Sequence, residues 1–222
     1  KKGQKSFADQ SVLANGLWYQ IAIAKDGIYK IDRNLLIELG INPSELNPQN
    51  INLYGNGGRL LSPDNSAFRP DDLIKNAIYI EGEADGQFNN NEYILFYGMG
   101  PDTWTLKFNS ALNRNRWFPS KHFYSDSAYY YLKIDDTEPL RMSTLPDVTQ
   151  PETHFVSSFQ DFAFIENELI NIGKAGREFY GESFLGSGSA STQYNFTFPN
   201  ITGTGHMEFG AVGKTIGASS TL

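Results

Sequence analysis

The segment from residue 83 to residue 92 has the spacing in this sequence that most suggests binding chemistry. Oxygen-bearing side chains recur along it at Glu83, Asp85, Gln87, Asn89, Asn91 and Glu92. Ca²⁺ takes about six to eight oxygen ligands, and alternate residues of a loop can turn their oxygens toward one ion. We therefore predict a calcium site made by Glu83, Asp85, Asn89 and Asn91. The alternative is a solvated loop whose side chains bond their own backbone, and its glycine is misplaced for an EF-hand.

The residues needed for nucleophilic catalysis are not found together in the sequence. It contains no cysteine, which excludes disulfides, thiolate metal sites and a cysteine nucleophile within this chain. No Gly-x-Ser-x-Gly turn occurs, and the three histidines (His122, His154 and His206) lie far apart. Residues 55–58 are Gly-Asn-Gly-Gly, but no Gly-Lys-Ser/Thr follows as in a phosphate-binding loop, so we predict a tight turn with positive φ. We predict no catalytic residue.

Aromatic and basic side chains form two further candidate sites. Trp18, Trp104, Trp117 and Tyr129–Tyr131 offer ring surface for a sugar-binding platform, or they are core and edge aromatics of a β protein. Arg114, Arg116, Lys121 and His122 fall in a stretch, residues 105–128, that we predict to be irregular. They are either a contact for an anionic lipid head group or part of a solvated loop.

Composition restricts the class of protein. The chain has 222 residues, of which 40% are apolar and 14% aromatic, so a sizeable core can form. The net charge of −7, without a basic cluster, argues against nucleic-acid binding. No apolar run approaches the roughly 20 residues of a membrane-spanning helix. We interpret the opening KKGQKS, which lacks Met, as a mature or trimmed product, and the wealth of Gly, Asn, Ser, Thr and Tyr as typical of an exported β protein.

Alternating and aromatic-rich runs predict a mainly β first half. Residues 76–98 predict two paired strands joined by a long polar loop, and residues 18–24 with 28–31 predict a hairpin that turns at Lys25-Asp26-Gly27. Asp32 is placed to cap one short helix near residues 33–39, and Gly40 is placed to end it. Residues 51–54 and 128–134 predict two more strands.

The second half is predicted to hold another sheet domain. Prolines between residues 135 and 151 predict a linker or edge crossing. Beyond it we predict strands at 193–198 and 206–212, and we favour strand over helix for the run FQDFAFIE. The predicted fold is thus two β-sandwich-like domains, the second incomplete: residues 1–138 as an N-terminal propeptide-like domain, 139–151 as a linker, and 152–222 as the start of a second domain.

Several phrases, in this order and at this spacing, resemble the N-terminal region of the type IX secretion system sortases of Bacteroidetes, which are gingipain-type cysteine peptidases. The phrases are SVLA (11–14), WYQIA (18–22), GIYKID (27–32), INLYGNGG (51–58), DDLIKNA (71–77), GEADGQF (82–88), YILFYG (93–98) and AGREFYGE (175–182). In the last phrase we predict that Arg177 forks onto a carboxylate such as Glu182 and acts as a structural joint.

The resemblance implies a location and a set of partners. Such sortases act at the cell surface on the outer membrane, after export through the periplasm. They cleave the C-terminal signal from secreted cargo proteins and attach the cargo to anionic lipopolysaccharide. Their partners include an outer-membrane β-barrel shuttle protein. Their Cys–His chemistry belongs to a downstream peptidase domain of the same polypeptide, so the resemblance carries no catalytic residue onto this chain.

The function expected from the resemblance is that of a non-catalytic region. It would position the peptidase domain, shield its active site as a prodomain does, or contact the barrel partner, and the sequence does not separate these three. The alternative is a β-sandwich module that binds surface glycans. Asp126-Ser127-Ala128 resembles a Bacteroidetes O-glycosylation pattern, which makes Ser127 a candidate glycosylation site, and Asn195 and Asn200 begin N-glycosylation sequons. No cofactor other than the possible Ca²⁺ is predicted.

Overall fold

The computed structural model describes residues 7–110, 113–172, 174, 178–184 and 191–213. The protein is mainly β, as predicted, and it divides into two units, residues 1–150 and 151–222. The described strands, all in the first unit, are β1 (Trp18–Ile23), β2 (Gly27–Asp32), β3 (Ile51–Tyr54), β4 (Lys75–Asn76), β5 (Ile78–Ile80), β6 (Tyr93–Gly98), β7 (Thr103–Asn109), β8 (Arg114–Ser120) and β9 (Ala128–Ile134). A single described α-helix, α1 (Arg33–Glu38), follows β2 directly.

Two antiparallel sheets of the first unit enclose one core. The first has the order β1-β9-β3-β4 and the second the order β2-β6-β5. Alternate residues of both sheets contribute to a single apolar cluster, among them Leu53 and Leu132 from the first and Ile31 and Ile94 from the second. The rings of Phe96 (β6) and Tyr130 (β9) join the two sheets with centroids 5.3 Å apart. The arrangement is that of a β-sandwich.

The strands around the Lys25-Asp26-Gly27 turn were predicted correctly, but their pairing was not. β1 pairs with β9 over its whole length, and β2 pairs with β6. The turn thus carries the chain from one sheet to the other. Gly27 does not adopt the positive φ of a tight hairpin turn. The Asp26 carboxylate instead accepts a bond from Gly100 N (2.7 Å) and pairs with Arg59 (2.7 Å).

The short helix near residues 33–39 is confirmed, and so are both of its end signals. Asp32 accepts a hydrogen bond from Leu35 N at 3.0 Å, which satisfies one of the free amides at the helix start. Leu36 is fully buried in the core. Gly40 takes the left-handed conformation, with φ of 82°, that ends the helix.

The strand pair predicted in residues 76–98 is also confirmed, since β5 pairs with β6 in antiparallel register. The free edge of β5 receives a third segment that the sequence did not predict. Ile78 N donates to Leu140 O (3.1 Å), and Met142 N donates to Ile78 O (2.9 Å), which makes a parallel bridge between Ile78 and Arg141. The first residues of the predicted linker are therefore hydrogen-bonded to the edge of the sandwich.

The prediction that residues 105–128 are irregular is wrong. β7 and β8 pair along seven residues each and form a two-stranded sheet of their own. Two features hid the hairpin: Pro119 falls within β8, and charged residues interrupt the apolar pattern there. Proline is tolerated because an edge strand needs no outward donor at that position.

The glycine-rich turn at residues 55–58 uses its glycines for two different reasons. Gly57 has the predicted positive φ, 74°. Gly55 and Gly58 are required for space, because a Cβ would stand 2.6 Å from Tyr130 Cδ1 and 2.3 Å from Ala128 Cβ respectively. The turn is thus packed against the core strand β9.

The described residues of the second unit contain little regular structure. Residues 193–198, 206–212 and the run FQDFAFIE are not strands, so those three predictions are wrong. An antiparallel bridge joins Ile170 and Tyr180, with Tyr180 N 2.8 Å from Ile170 O. The alternation that predicted the strands is present, but within the described residues it has no neighbouring strand to pair with.

Candidate functional site

The loop predicted to bind calcium is organised by its own hydrogen bonds. A 3-10 turn at Glu83–Asp85 opens it between two glycines, Gly82 and Gly86, in the left-handed conformation. Asp85 accepts from Gln87 N (2.9 Å) and from Asn89 Nδ2 (3.0 Å). Glu92 accepts from Asn89 N (2.7 Å) and also from Asn89 Nδ2 (3.0 Å). These are the local side-chain bonds that Asp and Asn make in turns.

Positive side chains also occupy the surroundings of this loop. Arg141 Nε lies 2.7 Å from Glu83 Oε2, and both side chains are largely shielded from solvent. Asn91 lines a shallow surface groove together with Lys30 and Arg33. In the described part of the chain, no cluster of three Asp, Glu, His or Cys side chains could hold a metal ion. The calcium site stays a prediction, and the geometry gives three of its proposed ligands, Glu83, Asp85 and Asn89, other partners.

Arg141 is the residue that fastens this region, and the sequence analysis missed it. Besides Glu83, its guanidinium donates to Ile51 O (3.0 Å) and Pro48 O (3.0 Å). One side chain thus joins the segment after β9 to the start of β3, to the turn before it and to the loop after β5. The only sequence signal was an arginine between Leu140 and Met142 in a proline-rich stretch, which is too common a pattern to be informative.

The predicted aromatic platform is divided between several places. Tyr130 is fully buried in the core, where its hydroxyl accepts from Met99 N (2.8 Å). Trp18 and Tyr131 lie on the outer face of the four-stranded sheet. Trp104 and Trp117 lie on the separate β7–β8 hairpin. The sequence predicted the aromatic character of these positions but not their distribution, because that depends on the pairing of β1 with β9.

A polar network covers the outer face of the four-stranded sheet. Lys133 Nζ lies 4.8 Å from the Trp18 ring centroid and 2.8 Å from Asp135 Oδ2. Asp135 Oδ1 accepts from the buried Asn52 (2.9 Å) and from the Thr137 hydroxyl (2.6 Å). Burial raises the pKa of the Asp135 carboxyl, but the bonds from Lys133 and Thr137 outweigh it and hold that pKa below its usual range.

The basic residues proposed to contact a lipid head group separate into two parts. Arg114 and Arg116 belong to β8, on the same face of the hairpin as Phe118, and Arg116 Cζ is 4.9 Å from the Phe118 ring centroid. Lys121 instead lies at the foot of the hairpin, 3.6 Å from Asp102 and 3.4 Å from Asp126. It is thus neutralised by two carboxylates, whereas the arginines lie on a strand that carries no acidic residue.

The histidines have local roles. His122 Nδ1 accepts from Ser125 N (2.9 Å) and closes a turn, His154 contacts the neighbouring Thr153 hydroxyl (3.0 Å), and His206 approaches Glu208 (3.8 Å). That none of the three histidines is catalytic stays a prediction.

The remaining candidates can only be located. Ser127, the predicted glycosylation site, is half-buried just before β9, and its amide donates to Ser125 Oγ (3.2 Å). Arg177 lies outside the described residues. Its predicted partner Glu182 accepts from Asn167 (2.8 Å) and from the Tyr194 hydroxyl. Glycosylation of Ser127 stays a prediction.

Comparison with known proteins gives limited similarity. No protein-family model and no curated protein matches the chain. The crystal structure of dimeric latent PorU from Porphyromonas gingivalis is similar to part of it, with 26% sequence identity and a TM-score of 0.46. The similarity covers 63% of this chain and 11% of the PorU chain. This chain therefore spans a small fraction of that protein's length. Among the described residues, no helix has the length and apolar character needed to span a bilayer.

Proposed function

We propose that this chain is a non-catalytic region of a type IX secretion system surface sortase, and that it positions or shields the cysteine peptidase domain of the same polypeptide. In this role it belongs to the machinery that removes the C-terminal signal from secreted cargo and attaches the cargo to anionic lipopolysaccharide. The sandwich positions or shields, and the cysteine peptidase domain carries out the cleavage.

The observation that supports this proposal is that the phrases resembling the sortase family are one another's partners in the fold. Ser11 Oγ and Val12 N, from the first phrase, donate to the two carboxylate oxygens of Asp72 at 2.9 and 2.6 Å. Asn56, from the glycine-rich phrase, donates to Asp72 O at 3.0 Å and accepts from Ile74 N at 2.9 Å. Three phrases separated by up to 61 residues thus meet at one aspartate.

Asp72 behaves as a structural anchor at this meeting point. The amides of Val12 and Leu73 hold the pKa of its carboxyl below the usual value, since both bonds favour the ionised form. Two more of the phrases form β2 and β6, which pair over six residues from Gly27–Gly98 to Asp32–Tyr93. The residues that resemble the sortase family therefore build the sandwich, as expected of a region that positions another domain.

The chemistry of the chain points the same way. A cysteine peptidase needs a thiolate beside a histidine, and this chain has no cysteine. The contacts described above for the three histidine rings are with residues within three positions in the sequence. Cleavage of cargo is therefore assigned to another domain.

The proposal is tested with three purified proteins: this chain, the peptidase domain of its parent, and the polypeptide that contains both. The substrate is a peptide ending in the C-terminal signal of a secreted cargo protein. This chain alone should cleave nothing. Shielding predicts that the joined polypeptide cleaves more slowly than the free domain and that added chain inhibits the free domain. Positioning predicts equal peptide cleavage, but loss of cargo attachment in cells when residues 7–150 are deleted.

Two results would refute the proposal. One is a parent polypeptide that has no Cys–His peptidase domain. The other is peptide cleavage that copurifies with this chain and persists after affinity and size separation.

A second candidate function, binding of surface glycans, is supported by one part of the structure. On the outer face of the four-stranded sheet, Trp18 meets Tyr54 edge to face with centroids 5.1 Å apart, and Gln20 donates to the Tyr131 hydroxyl at 3.1 Å. Rings beside amide and hydroxyl groups suit sugar rings. Glycan-array binding that is lost in Trp18→Ala, but kept in Trp104→Ala and Trp117→Ala, would favour this function over the sortase role.

A further inference from the structure

The β7–β8 hairpin has two faces of opposite chemistry. Trp104, Leu106 and Phe108 alternate along β7, and Trp117 lies opposite Leu106 on β8, so these side chains share one face. The other face carries all the charged residues of the hairpin, Lys107, Arg114 and Arg116. Residues 103–120 contain no Asp or Glu, although the chain as a whole has a net charge of −7.

The apolar face is exposed. Phe108 is 63% exposed, Leu106 50% and Trp117 39%, and no described residue of either strand is buried. Among the described strands, β7 and β8 pair only with each other. An isolated two-stranded hairpin is at best marginally stable in water, and a contiguous exposed apolar patch marks an interaction site. The hairpin is therefore built to contact something.

Two cations of the second face lie near one aromatic ring. Lys107 Nζ and Arg116 Cζ lie 6.0 and 4.9 Å from the centroid of the Phe118 ring. Such contacts are weak at exposed positions, so both side chains can leave the ring when they bind an anion. The long stems of lysine and arginine also reach around a strand, so their charges and the apolar face can meet one surface.

We propose that this hairpin binds the surface of an anionic phospholipid bilayer. Trp104, Leu106, Phe108 and Trp117 enter the boundary between head groups and acyl chains, where tryptophan is favoured. Lys107, Arg114 and Arg116 bind the phosphates around them. Charge complementarity selects this occupant: a purely cationic, acid-free element in an acidic chain fits a phosphate-rich surface, and a two-tryptophan face without charge fits the interface.

The proposal is tested by flotation of the purified chain with vesicles. We use phosphatidylcholine alone and phosphatidylcholine with about 30% phosphatidylglycerol, at about 50 mM and about 500 mM salt. We expect at least about tenfold stronger binding to the anionic vesicles, most of it lost at the higher salt. In a Trp18→Phe background Trp104 and Trp117 are the only tryptophans, and tryptophan emission, excited selectively, should shift to the blue on binding.

Two pairs of variants distinguish binding by the hairpin from nonspecific electrostatic and hydrophobic binding by the rest of the chain. Removing its cations (Lys107→Ser, Arg114→Ser and Arg116→Ser) should weaken binding at least about tenfold. Removing three exposed cations elsewhere (Lys25→Ser, Arg69→Ser and Lys174→Ser) should change it less than about twofold. Leu106→Ser with Phe108→Ser should abolish the blue shift, whereas Ile28→Ser with Phe68→Ser, two other exposed apolar residues, should retain it.

Three outcomes would contradict membrane binding by the hairpin. Equal loss of binding in the hairpin and control variants, each shown to be folded by circular dichroism, would overturn the proposal. So would the absence of vesicle binding. Binding of these residues to a folded protein partner in place of vesicles would assign the hairpin to a protein interface.

Discussion

The contact between Gly55 and Tyr130 illustrates how single residues set the spacing around β9. A Cβ at Gly55 would lie 2.6 Å from Tyr130 Cδ1 and 2.9 Å from Cε1. Tyr130 is fully buried and its hydroxyl is bonded to Met99 N, so the ring has little room to move. A side chain here must displace a core aromatic.

Gly55→Ala should therefore lower the free energy of unfolding by about 1–3 kcal/mol, the usual cost of overpacking. Gly27→Ala is the matched control, because no atom lies within 4 Å of the added Cβ and the backbone is not left-handed. It should change the stability by less than about 1 kcal/mol and can increase it. Urea denaturation measures both, and equal destabilisation would show that the Tyr130 contact is unimportant.

Asp135 makes the stability depend on pH. Its pKa in the folded protein is held below the unfolded value, net of the opposing effect of burial. The ionised Asp135 therefore makes its full contribution to the free energy of unfolding above the unfolded pKa of about 4. This contribution is lost as the pH falls through the folded pKa. Asp135→Asn should lower the free energy of unfolding by about 1–2 kcal/mol at neutral pH.

The difference between wild type and Asp135→Asn should shrink below about pH 4, because the wild-type carboxyl is then protonated as well. Asp136→Asn is the control: Asp136 is exposed and accepts a bond from Asn50 (2.9 Å) that an amide oxygen can also accept. A difference between wild type and Asp135→Asn that does not vary with pH would contradict the proposed role of the charge.

At the scale of elements, Arg141 joins three parts of the first unit, so removing its side chain should destabilise that unit. Arg141→Ala leaves Glu83 without its partner and removes the donor from three backbone carbonyls, those of Pro48, Gln49 and Ile51. We expect a loss of about 2–4 kcal/mol in the free energy of unfolding. Arg59→Ala removes the more exposed pair with Asp26 and should cost less than about 1 kcal/mol. Urea denaturation measures both variants. A loss of free energy of unfolding in Arg141→Ala as small as that in Arg59→Ala would argue against this role of Arg141.

The loop between β5 and β6 gives a prediction about calcium. Because its oxygens accept bonds within the loop and Arg141 neutralises Glu83, we expect the same melting temperature in excess Ca²⁺ and in chelator. Scanning calorimetry measures it. An increase with Ca²⁺ that Asp85→Asn abolishes would support the site predicted from the sequence.

Elements were predictable where the signal was local. The cap at Asp32, the stop at Gly40 and the two aromatic runs around residues 78–80 and 93–98 each carry their own reason for folding. Pairing was not predictable where it joins distant strands. The Asp-Gly turn after β1 favoured a hairpin, but β1 and β2 enter different sheets because β9 and β6 offer their full lengths as partners.

The candidate sites were harder to predict, because their residues meet only through that pairing. Lys133, Asp135 and Asn52 form one network through the β3–β9 register, and none of them has a distinctive local sequence. The loop at residues 83–92 was identified from its spacing. Its alternative interpretation, as a loop that bonds itself, depends on rotamers that a sequence does not reveal.

At the scale of the whole molecule, the core that the structure describes lies in the first unit. Every residue of the described core cluster lies between Ile23 and Leu132. In the second unit, large apolar side chains such as Phe155 and Phe159 are more than four-fifths exposed. The two units should therefore differ in their ability to fold alone.

Residues 7–150 expressed alone should unfold in a single cooperative urea transition, since they retain both sheets and the core. Residues 151–222 alone should show no such transition and little amide protection, because their described part contains no strand and a single isolated bridge, between Ile170 and Tyr180. Hydrogen exchange followed by mass spectrometry reads out both fragments. A first fragment that unfolds without cooperativity would show that its core depends on the remainder of the chain.

The parallel bridge between Ile78 and Arg141 has a mechanical consequence. A pull on the chain beyond Met142 would load the two bridge hydrogen bonds and the guanidinium contacts together, so they would resist as a set rather than open one at a time. The sandwich would then be shielded from strain applied farther along the chain. Such a pull would reach the core only after these contacts had broken.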